Sequence, residues 1–126
     1  MKATALVLTA LPLLASSATL QVNLFSEPDC KGSKQTFTIG NLESCHKTQG
    51  FKSYGTSNVD QSFFNRELRL STWSTEDCRQ SATITIGEGV ALTNQNNCHE
   101  FGAINDPKSL EPGARRWTGR SFYVGG

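Results

Sequence analysis

Phe25-Ser26-Glu27-Pro28-Asp29-Cys30-Lys31-Gly32-Ser33 decides the reading of this chain, because a similar stretch returns as Trp73-Ser74-Thr75-Glu76-Asp77-Cys78-Arg79-Gln80-Ser81. Each stretch opens on an aromatic residue and carries Asp-Cys at the same place. Each runs on into a β-branched segment closed by glycine, Thr36-Phe37-Thr38-Ile39-Gly40 in the first and Thr83-Ile84-Thr85-Ile86-Gly87 in the second. Each then reaches a Cys-His pair, Cys45-His46 and Cys98-His99, so all four cysteines lie within the two copies. The pattern reads as strand, turn, strand and loop, twice over.

Upstream of the first turn, Leu20, Val22 and Leu24 alternate with Gln21 and Asn23, the period of a half-buried strand. Pro28 cannot donate to a ladder and Asp29 favours a turn, so the strand ends there. Residues 35–39 form the second strand, 41–50 read as a polar loop, and a short third strand is expected near Phe51 to Tyr54. In the second half, Leu68, Leu70 and Thr72 alternate with Arg69 and Ser71, and Thr83 to Ile86 is β-branched throughout. Gly87-Glu88-Gly89 follows, then Val90-Ala91-Leu92 reads as a further short strand and Thr93 to Asn97 as a polar run. No segment sustains a helical period. After Asn105 the chain turns to Pro, Gly and Arg and reads as irregular, with a last strand at Ser121 to Val124. Many short strands between Gly- and Asn-rich turns predict an all-β sandwich or small barrel.

The copies diverge late. Thr36 and Thr83 are 47 residues apart, whereas Cys45 and Cys98 are 53 apart, so the loop of copy two is six residues longer. Loops absorb such insertions at little cost. A function peculiar to this protein is expected where the copies differ, in Glu88 to Asn97 and in the tail after Asn105.

The N-terminus reads as a secretory signal peptide: Met1-Lys2, an apolar run from Ala3 to Leu14, and the small residues Ala15-Ser16-Ser17-Ala18. Cleavage is expected after Ala18, with Ser17 as the alternative. The apolar run is too short for a bilayer, which takes about 20 residues. The expected organisation is therefore a signal peptide at 1–18 and a single domain at 19–126, with copy one at about 20–62, copy two at about 63–110 and an irregular basic tail at 111–126. Loss of Lys2 with the leader leaves eleven basic against eleven acidic side chains. No global field points to nucleic acid or to an anionic membrane. There is no membrane span after the leader and no N-glycosylation sequon, and a monomer is expected.

Four cysteines in a secreted chain of this size imply two disulfides, with three pairings open on paper. Pairing within each copy, Cys30–Cys45 and Cys78–Cys98, is expected because equivalent cysteines then make equivalent bonds. Cys30–Cys78 with Cys45–Cys98 is the main alternative.

The repeat resembles the βγ-crystallin Greek-key motif. That family's first hairpin carries an aromatic, four residues, a second aromatic, one residue and glycine. Phe25-x4-Cys30-x-Gly32 fits with Cys in the second aromatic place, and Trp73-x4-Cys78-x-Gln80 has Gln where glycine belongs. The family also ties the hairpin down with a serine of the fourth strand, which Ser53 matches; copy two shows no clear equivalent. The arrangement is also similar to small cysteine-containing secreted proteins of fungi, whose distant relatives include antimicrobial killer toxins. The resemblance implies a two-motif Greek-key β-sandwich with two disulfides.

Many members of that family bind calcium through oxygen-rich Asn/Asp motifs, since hard Ca²⁺ takes six to eight oxygen ligands. The nearest match is Asn105-Asp106-Pro107-Lys108-Ser109-Leu110, with Asn105, Asp106 and Ser109 as candidate ligands. It lacks the closing serine and carries a lysine, so it reads as a turn and no cofactor is expected. Cys and His lack the spacing of a zinc site. A small secreted ribonuclease would need a Glu base, a His acid and an Arg for phosphate on one face. Glu67, Glu76, Glu100, His46, His99, Arg66 and Arg69 supply the types without a recognisable spacing. No catalytic residue is therefore assigned. Arg115-Arg116-Trp117 opens the one charge-biased stretch, and these three are the candidate contacts with an extracellular or cell-surface partner. The expected role is that of a secreted binding protein, effector-like or toxin-like; a structural wall protein and a small hydrolase are the alternatives.

Overall fold

A computed structural model describes residues 18–80, 85–93, 95–114 and 116–126. Residues 1–17 of the expected leader and the Thr83-Ile84 portion of the expected strand lie outside the described residues. Eight strands are described: β1 (Leu20–Glu27), β2 (Lys31–Ile39), β3 (Cys45–Phe51), β4 (Ser53–Ser57), β5 (Arg69–Trp73), β6 (Gly87–Ala91), β7 (His99–Glu100) and β8 (Gly119–Gly125). They form two four-stranded antiparallel sheets, ordered β2-β1-β4-β7 and β3-β8-β5-β6. The chain is all-β.

The two sheets have the same plan. In each half, three strands share one sheet and the third in sequence crosses to the other: β3 joins the edge beside β8, and β7 joins the edge beside β4. The inner faces close over one core. From β1 come Leu20, Val22 and Leu24, from β5 Leu70, and from β8 Phe122 and Val124, all buried. Phe51, Tyr54, Phe63 and Phe101 fill the space between them. The period-two alternation of β1 and β5 therefore does what it predicts: alternate residues enter the core and the others face outward.

Two expectations are corrected. Residues 45–50, read as loop, belong to β3. This strand lies at a sheet edge and turns His46, Thr48 and Gly50 to its more covered side, so it carries no apolar alternation. The strand expected at Val90-Ala91-Leu92 starts earlier, and Gly87-Glu88-Gly89 opens β6. The glycines serve close contact: a Cβ at Gly87 would lie 2.5 Å from Trp73 Cδ1, and one at Gly89 would lie 3.2 Å from Arg69 Nε. The last strand expected at Ser121 to Val124 is present as Gly119–Gly125, a central strand of the second sheet, paired with β3 on one side and β5 on the other.

The disulfides are Cys30–Cys98 and Cys45–Cys78, neither of the pairings expected. The crossing strands are the reason. β3 carries Cys45 to the second sheet, against the hairpin that holds Cys78. The segment leading into β7 brings Cys98 to the first sheet, against the hairpin that holds Cys30. Equivalent cysteines do make equivalent bonds, but each bond joins one copy to the other. The loops closed span 68 and 33 residues in sequence. The chain-entropy relation gives roughly 4 kcal/mol for either bond taken alone.

Ser53 and Ser121 fasten the two hairpins. Ser53 Oγ donates to Glu27 O at 2.6 Å and accepts from Cys30 N at 2.8 Å. Ser121 Oγ donates to Thr75 O at 2.6 Å and accepts from Cys78 N at 3.1 Å. Cys30 and Cys78 both hold φ of 56°. The serine missing from copy two is thus Ser121, and Gln80 in place of glycine leaves the tie intact.

Candidate functional site

Lys52 occupies the step between β3 and β4, where the chain passes from one sheet to the other. Its N–H donates to Phe25 O at 2.8 Å and its carbonyl accepts from Phe101 N at 2.9 Å, so its backbone is fixed by two segments of the fold. Its ammonium donates to Thr118 Oγ1 at 2.6 Å and to Trp117 O at 3.3 Å. Burial, then the nearby charges of Arg116 and Arg120, hold its pKa below the usual lysine value. Arg116 and Arg120 are both exposed, and Arg116 Nη2 donates to Leu110 O at 3.2 Å. Among the described residues the ion pairs are Lys47–Glu76 and Arg79–Asp77, and neither involves this cluster.

The expected contact residues divide. Arg116 belongs to this cationic corner, and Arg115 lies outside the described residues. Trp117 is half-buried: it packs against the core, its indole N–H donates to Asp106 Oδ2 at 3.1 Å, and its ring covers Gly102, which has φ of 92°. It serves as an anchor for the segment that presents the arginines. Sequence reasoning missed Lys52 and placed Arg120 only in the basic tail. Residue 52 lies far from 116–120 in sequence, and only the crossing of β3 brings them together.

The candidate calcium residues have other tasks. The Asp106 carboxylate receives the Trp117 indole N–H, and the Asn105 side-chain amide donates to Gly87 O. Ser109 is buried in the 3-10 turn Pro107–Leu110. Among the described residues no three His, Cys, Asp or Glu side chains gather in a metal-binding group.

The candidate catalytic types are dispersed. His46 stacks on Phe122 at 4.8 Å between centroids, and His99 sits 5.4 Å from the Tyr54 ring. They lie on β3 and β7, in different sheets, and burial lowers the pKa of both. Glu76 pairs with Lys47, Glu100 accepts from Asp29 N at 2.9 Å, and Arg66 lies over the Phe63 ring. Glu67 and Arg69 line a shallow hollow of about 360 Å³ with Leu68 and Leu92, and neither histidine lines it.

One carboxylate is buried. Glu88, 7% exposed, accepts a 2.6 Å hydrogen bond from Tyr54 OH and a 3.0 Å bond from Gly102 N. Burial pushes its pKa up, while those donors act in the opposite sense. Burial and the Glu88 charge also push the Tyr54 hydroxyl far above its ordinary value. The pair joins β4 of one sheet to β6 of the other, and neither residue lines the hollow beside Glu67 and Arg69.

No family model matches the chain, and no curated protein or solved structure matches it. Among the described residues no helix is long and apolar enough to cross a membrane.

Proposed function

We propose that this is a secreted, βγ-crystallin-like binding protein that acts on an acidic component of another cell's surface through the cationic corner of Lys52, Arg116 and Arg120. The single observation carrying the reading is that the Lys52 ammonium is held on Trp117 and Thr118, between Arg116 and Arg120 in the chain, with none of the three in an ion pair among the described residues. Unrelieved like charge favours an anionic partner and steers its approach. The two disulfides support an extracellular setting. The sheet orders β2-β1-β4-β7 and β3-β8-β5-β6, with the paired Ser53 and Ser121 ties, support the Greek-key kinship.

Retention on immobilised heparin, a generic polyanion, tests the reading. The wild-type protein should bind and should elute as salt rises, because exposed charges are screened within about 10 Å at 0.1 M salt. Arg116→Glu with Arg120→Glu should weaken binding at least about tenfold, or ~1.4 kcal/mol. Equal retention of the wild type and the double variant refutes the reading.

A further inference from the structure

The outer face of the first sheet carries a second and different surface. Gln21, Asn23 and Phe25 face outward from β1, and Ser57, Asn58 and the 95–97 loop flank them. Together they line a groove of about 520 Å³ beside the Cys30–Cys98 disulfide. Its far wall comes from the lengthened loop of copy two, which docks by side chain as well as backbone: Asn97 Oδ1 accepts from Thr56 N at 2.8 Å, and Asn96 N donates to Thr56 O at 2.7 Å.

The floor is set by mutual hydrogen bonds. Asn23, 7% exposed, donates to Ser57 Oγ at 2.9 Å and accepts from Thr36 Oγ1 at 3.0 Å. Gln21 Oε1 accepts twice, from Ser57 Oγ at 3.2 Å and from Asn58 Nδ2 at 2.8 Å. Those bonds hold the Gln21 amide by its oxygen, and among the described residues its two N–H groups donate to no protein acceptor. An amide held by its oxygen offers its N–H donors to a ligand hydroxyl, which can accept there and donate elsewhere in a lining rich in amides and hydroxyls. Phe25 adds a half-buried aromatic ring at the opposite end of the strip. The separation from Gln21 is about 13 Å at strand rise, which suits an extended ligand over a single ring.

The chemistry of the lining narrows the ligand class. Lys34 is the only charged side chain in it, so it selects neither a polyanion nor a cation. Carboxylates for a hard metal are missing from the lining, and amides and hydroxyls outnumber apolar groups, which disfavours a lipid. We propose that this groove binds a neutral oligosaccharide. The inference rests on the reading of the chain as a binding protein but uses a surface separate from the cationic corner.

The experiment is an NMR titration of the disulfide-intact protein with hexasaccharides of β-1,3-linked glucose, of β-1,4-linked N-acetylglucosamine and of α-1,4-linked glucose. At least one should shift the side-chain amide signals of Gln21 and Asn58. Gln21→Glu keeps the accepting oxygen and removes both donors, and should weaken binding at least tenfold. Asn58→Gly suits the positive φ of 49° at that position and should do likewise. The melting temperature of each variant identifies any loss due to unfolding, and a weakened variant that remains folded supports the site. The Arg116→Glu, Arg120→Glu variant should bind the sugar as the wild type does, so failure of the cationic reading and failure of this one are distinguishable. No shift with any of the three sugars at millimolar concentration overturns the proposal, as do shifts confined to other surfaces or unchanged affinity in both groove variants.

Discussion

Ser53 and Ser121 make the same two hydrogen bonds at corresponding places in the two sheets, each tying a hairpin to the fourth strand of its half of the chain, β4 or β8. Both side chains are fully buried. Replacing either by alanine leaves a cysteine N–H and a backbone carbonyl without that partner. Ser53→Ala and Ser121→Ala should each cost about 1–3 kcal/mol. In thermal melts of a domain this size each kcal/mol lowers the midpoint by roughly 4–8 °C. A much smaller loss for Ser121→Ala than for Ser53→Ala would contradict their equivalence.

Glu88 should give the fold an unusual response to pH. Burial raises its pKa in the folded protein above the ordinary carboxylate value of 4.5, so the folded state holds a proton that the unfolded chain has released. Stability from this group is therefore present below about pH 4.5 and is lost as pH rises through its folded value. His46 and His99 act in the opposite direction. Their folded pKa values lie below 6.5, so stability falls as pH drops below that point. Glu88→Gln should remove the first effect and leave acid destabilisation steeper, read from melting temperatures across about pH 4 to 8. An identical pH profile for the variant and the wild type would rule this out.

Tyr54→Phe removes the 2.6 Å bond that favours ionised Glu88. The variant should be destabilised by about 1–3 kcal/mol at neutral pH. The difference from wild type should shrink in acid, where Glu88 is protonated. Denaturant melts at two pH values check this, and a pH-independent loss would argue against a charged acceptor.

Two glycines should differ in tolerance although both face aromatic rings. A Cβ at Gly119 would lie 2.2 Å from Phe51 Cζ, and Phe51 is fully buried with Tyr54 and Phe101 around it. The Trp73 ring facing Gly87 is only half-buried and can move outward. Gly119→Ala should therefore cost more than Gly87→Ala, the first in the range of about 1–3 kcal/mol expected of overpacking. Denaturant midpoints of the two variants provide the comparison.

The parts legible in the sequence are those whose pattern is local. β1 and β5 announce themselves by alternation, and the repeat of Asp-Cys marks both hairpins. β3 and the start of β6 hide for reasons that lie across the fold. β3 is an edge strand with polar covered positions. Gly87 and Gly89 give no strand signal, because Trp73 and Arg69 of the next strand need the room. β8 is legible over Ser121 to Val124, but the long irregular connection before it conceals the equivalence of Ser121 with Ser53. The disulfide pairing depends on β3 and β7 changing sheets, which no spacing encodes. The cationic corner and the amide groove are likewise assembled from distant segments, although the lengthened loop of copy two does mark one wall of the groove.

The account turns on the two copies being stapled to each other, since that crossing brings Lys52 to Arg120 and the long loop to β4. The most direct measurement is a non-reducing peptide map of the protein collected from the culture medium. It should yield peptides joined through Cys30–Cys98 and Cys45–Cys78, on a chain beginning at Thr19. Peptides joined through Cys30–Cys45 and Cys78–Cys98, or four free thiols, would contradict it.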